Sequence, residues 1–515
     1  MSMVRLPRRS VLAAAASAAW VLPSPAVAHA FGQRYDLPLP LSLYIGGAGA
    51  AVALSFVVMA LFVREARSVR APWRLSLEHS LAGRAMTHPW TIAALQTLSV
   101  AVFLLVLLSA FLGDTNPTRN FAPTFVWVIW WIGFAYLQAL VGDLWRVVNP
   151  WRVLYSWAEA LLRSAGREAP LAGCFAYPAW LGHWPAVLLF WLFAWLELVS
   201  DAAEHPASLG ILILIYSVLT WGGMLMFGRE TWLARGEAFS VVFGLLARFA
   251  PLAGGPPAGE TGACEGDKAN PAGPYLRFYG VGLLATRPLG TSAICLVLLM
   301  LATVTYDGIG ETPLWAGFLD RVVVSEALRA PLLALRKGGV DLLAFLRSLA
   351  LVATPLLFYA VYALFSRLTA AIVVLGGGPG GPSASTCVAA GAFVLTFVPI
   401  ALAYHLAHYL SFLLLAGQFI LPLASDPFGL GWDLFGTANR SLDLGIVSMR
   451  SVWWIAVVAI VVGHVFAVYL AHVMALRLYG SGRPALLSQV SLVLLMVGYT
   501  MISLWILSQP IVKTG

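Results

Sequence analysis

The chain has 515 residues, of which 60% are hydrophobic and only 10% charged, and its mean hydropathy is +0.85. That composition cannot cover a water-facing surface; it excludes an ordinary soluble enzyme and predicts a polytopic membrane protein. The net charge of +8 resides mainly in loops between apolar runs, where basic residues set topology, so no nucleic-acid partner is expected.

The apolar runs are long enough for bilayer-crossing helices, and none shows the roughly ten-residue alternation of a membrane barrel. An all-α fold is expected. The chain opens with Arg5, Arg8 and Arg9, then an apolar stretch over residues 11–22 and the small-residue end Ala26-Val27-Ala28-His29-Ala30. This reads as a signal peptide over 1–30, cut after Ala28 or Ala30. Cleavage after Ala28 would leave His29 leading the mature chain, where its amine and imidazole could chelate copper; cleavage after Ala30 discards it. Residues 31–515 then form a single helical transmembrane domain.

Spans are expected near residues 41–63, 90–112, 125–144, 179–199, 210–227, 291–305, 349–371, 387–423, 452–474 and 487–507. Arg64, Arg67, Arg70 and Arg74 after the first span, and the basic loops over 146–167, 229–287 and 477–483, belong in the cytoplasm by the positive-inside rule. Both mature ends therefore fall on the periplasmic side of a bacterial inner membrane. Residues 313–347, basic yet placed outside by this count, are spaced as amphipathic helices lying along the membrane surface. Residues 251–274 and 376–382, rich in Gly and Pro, read as linkers. Cys174, Cys264, Cys295 and Cys387 are scattered and suggest neither a disulfide framework nor a zinc ribbon.

Four histidines lie inside apolar runs, where an ionisable ring is costly unless a partner or a water-lined cavity receives it. His405 and His408 are three apart and share a helical face, while His464 and His472 sit on the next span. Helical rise allows the two pairs to meet at one depth. Converging imidazoles suit a divalent metal, and an opposed pair suits a b-type haem or copper, so all four are candidate ligands. The bland alternative is that each ring bonds a neighbouring helix. Glu197, late in an apolar run, is a candidate ligand or general base; Asp143, Glu237 and Asp307 are acidic residues in or near spans, the first and last expected at interfaces. Asp426 and Asp433 lie in a Gly-rich loop after the first histidine pair, where they line an external mouth or merely turn the chain.

The blocks Gln33-Arg34-Tyr35-Asp36-Leu37-Pro38, Gly142-Asp143-Leu144-Trp145, Asn149-Pro150-Trp151-Arg152, Trp195-Leu196-Glu197-Leu198, Tyr306-Asp307-Gly308, Ala407-His408-Tyr409, Ser425-Asp426-Pro427, Gly463-His464 and Ala471-His472 occur in that order. Together they resemble bacterial multipass proteins labelled fenitrothion hydrolase. The resemblance implies an inner-membrane hydrolase of apolar organophosphorus triesters, working with a second membrane subunit. A metal-bound water would supply the nucleophile there, with Asp426, Asp433 or Glu197 as further ligand or base. Two readings of other classes use the same histidines: a membrane haem or copper protein, and a transporter, to which Pro355 and Pro399 lend broken helices.

Overall fold

A computed structural model of the chain describes residues 40–63, 73–166, 171, 173, 175–254, 273–284, 287–376, 385–480 and 482–509. The signal peptide, most of both linkers and the first block of the resemblance lie outside these residues.

Among the described residues, ten helices are long and apolar enough to cross a membrane, and they match the ten expected spans one for one. They are α1 (Leu41–Phe62), α2 (Pro89–Leu112), α3 (Phe121–Leu140), α5 (Ala179–Leu198), α6 (Pro206–Phe227), α8 (Thr291–Gly310), α11 (Leu342–Leu375), α12 (Thr386–Ser425), α13 (Met449–Tyr479) and α14 (Arg483–Leu507). Among the shorter helices between them are α4 (Pro150–Ser164), α7 (Ala238–Ala247), α9 (Pro313–Val324) and α10 (Glu326–Lys337). The fold is all-α and multi-pass.

Local chemistry sets the ends. Pro89 and Pro150 occupy the first helical position, where no amide bond is lost, and the His88 ring and Asn149 side chain accept the next orphan amides. Regular geometry gives way to wide π-type turns at Thr124–Phe134 within α3, and to tight 3-10 turns at Val394–Phe397 and Gly417–Phe419 within α12. A three-stranded sheet of order β1 (Arg74–Ser76), β3 (Tyr275–Arg277), β2 (Leu252–Ala253) joins three loops, with all pairs antiparallel. Arg277 fastens it to α7 by donating to the carbonyls of Ala247, Arg248 and Ala250.

Two helices form the centre. Most of α8 and α12 is buried, whereas α11 turns most of its apolar surface outward. The tightest crossing is that of α12 with α13, where a Cβ on Gly463 would stand 2.4 Å from the Ala403 Cβ and 2.8 Å from the Pro399 carbonyl oxygen. Only glycine allows that approach, and close backbone contact is how apolar helices hold together where lipid supplies no hydrophobic drive.

Within residues 313–347 the chain forms the two short helices α9 and α10. Leu314, Phe318, Val324, Leu328 and Leu333 are exposed apolar positions interleaved with Arg321, Arg329, Arg336 and Lys337, as on a helix lying in an interface. Trp315 of α9 meets the Tyr306 ring of α8 edge-on at 6.1 Å.

Candidate acid–base site

The centre of interest is where α8 meets α12. Asp307 lies in the last turn of α8, which runs past the expected end at 305 to Gly310. One of its carboxylate oxygens receives two donors from adjacent residues of α12: the His408 Nε2 at 2.9 Å and the Tyr409 hydroxyl at 2.5 Å. Burial makes an unpaired carboxylate costly, and two donors on one oxygen offset that cost. The His408 and Asp307 side chains are 6% and 11% exposed, so water reaches them barely.

Helical spacing brings the neighbours in. One turn before Tyr409, the His405 ring packs 4.7 Å from the Tyr409 ring, and the same separation holds between the His408 and Tyr409 rings. The Tyr136 hydroxyl of α3 donates to the His405 carbonyl at 3.2 Å and lies 3.1 Å from its Nδ1, while the Trp131 ring stands edge-on to the imidazole at 5.9 Å. On the other side, Gly308 lets its neighbours pack closely: a Cβ there would lie 2.8 Å from both the Tyr404 hydroxyl and the Ile506 side chain and 3.8 Å from His408 Nδ1. The Tyr404 hydroxyl and His405 Nε2 are buried with no hydrogen-bond partner among the described residues. Both therefore offer unused hydrogen-bonding capacity beside the pair. Glu197 and Glu311 are within electrostatic reach of the Tyr409 hydroxyl.

The structure thus gathers His405, His408 and Glu197 of the expected set. It does not gather the other two histidines into the same place. His472 is engaged elsewhere, with Nδ1 3.0 Å from the Gln489 side-chain oxygen and Nε2 2.7 Å from the Val63 carbonyl of α1, two acceptors of which a neutral ring donates to one. His464 Nδ1 lies 2.8 Å from the Ile460 carbonyl one turn back. From His464, a series of ring contacts runs through Tyr499 and Tyr404 to His408, at 6.0, 6.1 and 6.5 Å. Aromatic rings therefore stand where shared coordination would require direct approach.

This corrects the expectation of a four-imidazole centre. Among the described residues, no three His, Cys, Asp or Glu side chains are grouped so as to hold a metal ion. The donor set does not fit the divalent metal, and the linked tyrosines do not leave an opposed imidazole pair for haem or copper.

The acidic loop is corrected too. Asp426 accepts the amides of Leu430 at 2.9 Å and Gly431 at 2.7 Å, and Asp433 accepts that of Ala438 at 3.0 Å. Both carboxylates hold the turns of their own loop, which the buried Ser425 hydroxyl also ties to Thr437 at 2.7 Å. Glu237 is likewise structural: fully buried at the start of α7, it accepts the amides of Phe239 and Ser240 and the Tyr216 hydroxyl. Asp143 accepts the Arg146 amide in a connecting turn.

Sequence reasoning gave Asp307 to an interface and gave Tyr136 and Tyr409 no role. Asp307 and His408 are 101 residues apart, and only a pairing between spans would have shown the partnership.

No protein-family model, curated protein or solved structure matches the chain.

Proposed function

We propose that Asp307, His408 and Tyr409 form an acid–base centre that hydrolyses an apolar ester taken from the bilayer. The substrate class we favour is the organophosphorus triester implied by the sequence resemblance, and the site is that of a bacterial inner-membrane protein. The observation that carries this reading is the pair of donors, His408 Nε2 and the Tyr409 hydroxyl, on one buried Asp307 oxygen. Ionisable groups at such depth are expensive and are a mark of function.

The chemistry follows from the orientation. With Nε2 given to Asp307, His408 turns Nδ1 toward Gly308. Nδ1 takes a proton from water there, and the water oxygen bonds to phosphorus. The bond from phosphorus to the aryloxy group breaks, and the aryloxide leaves with the electron pair. Asp307 stabilises the imidazolium, which then returns its proton to the leaving oxygen. Tyr404 is placed to donate to the phosphoryl oxygen or sulfur as charge grows on it. The route uses the chain's own acid and base groups alone.

The test is turnover of an aryl dialkyl phosphorothioate by the protein in lipid nanodiscs, before and after chelator treatment. Turnover that survives chelation and falls at least about 100-fold in Asp307→Asn supports the centre. Turnover abolished by chelation and restored by a divalent cation overturns it.

A second reading is proton-coupled transport, favoured by the polar series that continues from His408 through Tyr404 and Tyr499 to His464, with the Thr305 hydroxyl 2.6 Å from that of Tyr499. Proton uptake that tracks solute flux in proteoliposomes, without ester cleavage, would select it.

A further inference from the structure

A second feature lies apart from this centre, among α2, α3, α5 and α6. There the chain forms a partly open cleft of about 540 Å³, within the range that holds a drug-sized ligand. Its walls are unusually rich in rings: Trp127, Trp130, Trp145, Trp151, Phe193 and Tyr216 all line it. Trp127 and Phe193 stack at 5.4 Å, and Trp130 meets Phe239 edge-on at 4.6 Å, so the rings are held in fixed orientations.

The polar groups on this wall narrow the choice of occupant. Ser99 already donates to the Val148 carbonyl and Tyr216 to Glu237, and among the described residues no charged side chain lines the space. A charged ligand would find no counter-charge and would bear the full desolvation cost. Among the described residues, the Trp145 indole N–H is buried with no hydrogen-bond partner. Indole nitrogen can only donate, and a buried unpaired donor calls for an acceptor. Fixed aromatic faces favour another ring, through offset stacking and edge-to-face contact, over a saturated tail.

We propose that this cavity binds one neutral, ring-bearing apolar molecule with an acceptor oxygen, drawn laterally from the bilayer, its oxygen held by Trp145. The site does not depend on the acid–base reading, because it is tested by binding without turnover.

Benzophenone serves as the probe, being a diaryl ketone that cross-links on illumination. The full chain in nanodiscs is illuminated over a range of benzophenone concentrations, and labelled peptides are mapped by mass spectrometry. Saturable labelling of peptides from the lining of α2, α5 and α6 is expected. It should weaken at least tenfold in the cavity-filling pair Leu189→Trp/Leu212→Trp and persist in Leu214→Trp, which faces away from the cavity. Thermal unfolding confirms that each variant is folded, and Ile213→Trp replaces the pair if it is not. Trp145→Phe should weaken benzophenone labelling roughly threefold to tenfold, the worth of one hydrogen bond, while leaving competition by biphenyl unchanged. Labelling that never saturates, or that is the same in the filled variants, overturns the site and leaves a lipid tail as the occupant. Equal effects of Trp145→Phe on benzophenone and biphenyl overturn the assigned oxygen contact.

Discussion

His408 and His472 are both buried imidazoles in apolar helices, yet their surroundings differ in kind. His472 meets a neutral amide oxygen and a backbone carbonyl, so each ring nitrogen has one partner that cannot change its charge. His408 meets a carboxylate shared with a tyrosine, and its Nδ1 lies 3.8 Å from where a Cβ on Gly308 would stand. The first arrangement locks α13 to α14 and to the end of α1. The second can exchange a proton. An intramembrane histidine is thus informative only through its partner, and the partner's ability to titrate separates a fastener from a reactive group.

This contrast can be broken at either end. The largest effect is expected from Asp307→Ala, which strips both donors of their acceptor. Hydrolysis per folded molecule should fall by about 10²–10⁴, the usual worth of acid–base catalysis, measured in nanodiscs with folded protein quantified by size exclusion. Gly308→Ala comes next. Its methyl would lie 2.8 Å from both the Tyr404 hydroxyl and the Ile506 side chain, so overpacking should cost about 2–3 kcal/mol in thermal or denaturant unfolding and displace Tyr404 from the site. Gln489→Leu acts on the other histidine: with His472 left without its side-chain partner, stability should drop by about 1–2 kcal/mol while turnover per folded molecule holds. The smallest effect belongs to Asp426→Asn, which keeps an acceptor for one of the Leu430 and Gly431 amides and turns an NH2 toward the other; it should lower stability by about 1 kcal/mol and change turnover not at all. A large loss of turnover in Asp426→Asn would return that loop to the chemistry.

Much of the architecture was legible in the residues. Bilayer thickness fixes span length, so apolar runs bounded by basic loops gave all ten spans, and the mixed apolar and basic spacing after residue 313 gave two short helices. The shared face of His405 and His408 was legible too, because three-residue spacing is a property of one helix. What lay beyond reach depended on pairs of helices. Nothing local shows that Asp307 meets α12 and not solvent, or that His472 meets Gln489 and Val63. Nor could the loop reveal that Asp426 and Asp433 hold their own backbone, since the same Gly-Asp pattern suits a turn and a ligand mouth alike. Gly308 and Gly463 were visible as residues, but their role is set by what crosses them.

The most direct measurement places the two histidines side by side: hydrolysis of the aryl phosphorothioate per folded molecule in His408→Gln and His472→Gln, in the same nanodiscs. The acid–base account predicts that His408→Gln loses at least about 100-fold and that His472→Gln retains near-parental turnover despite lower stability. Equal losses in both, or a loss confined to His472→Gln, would contradict it.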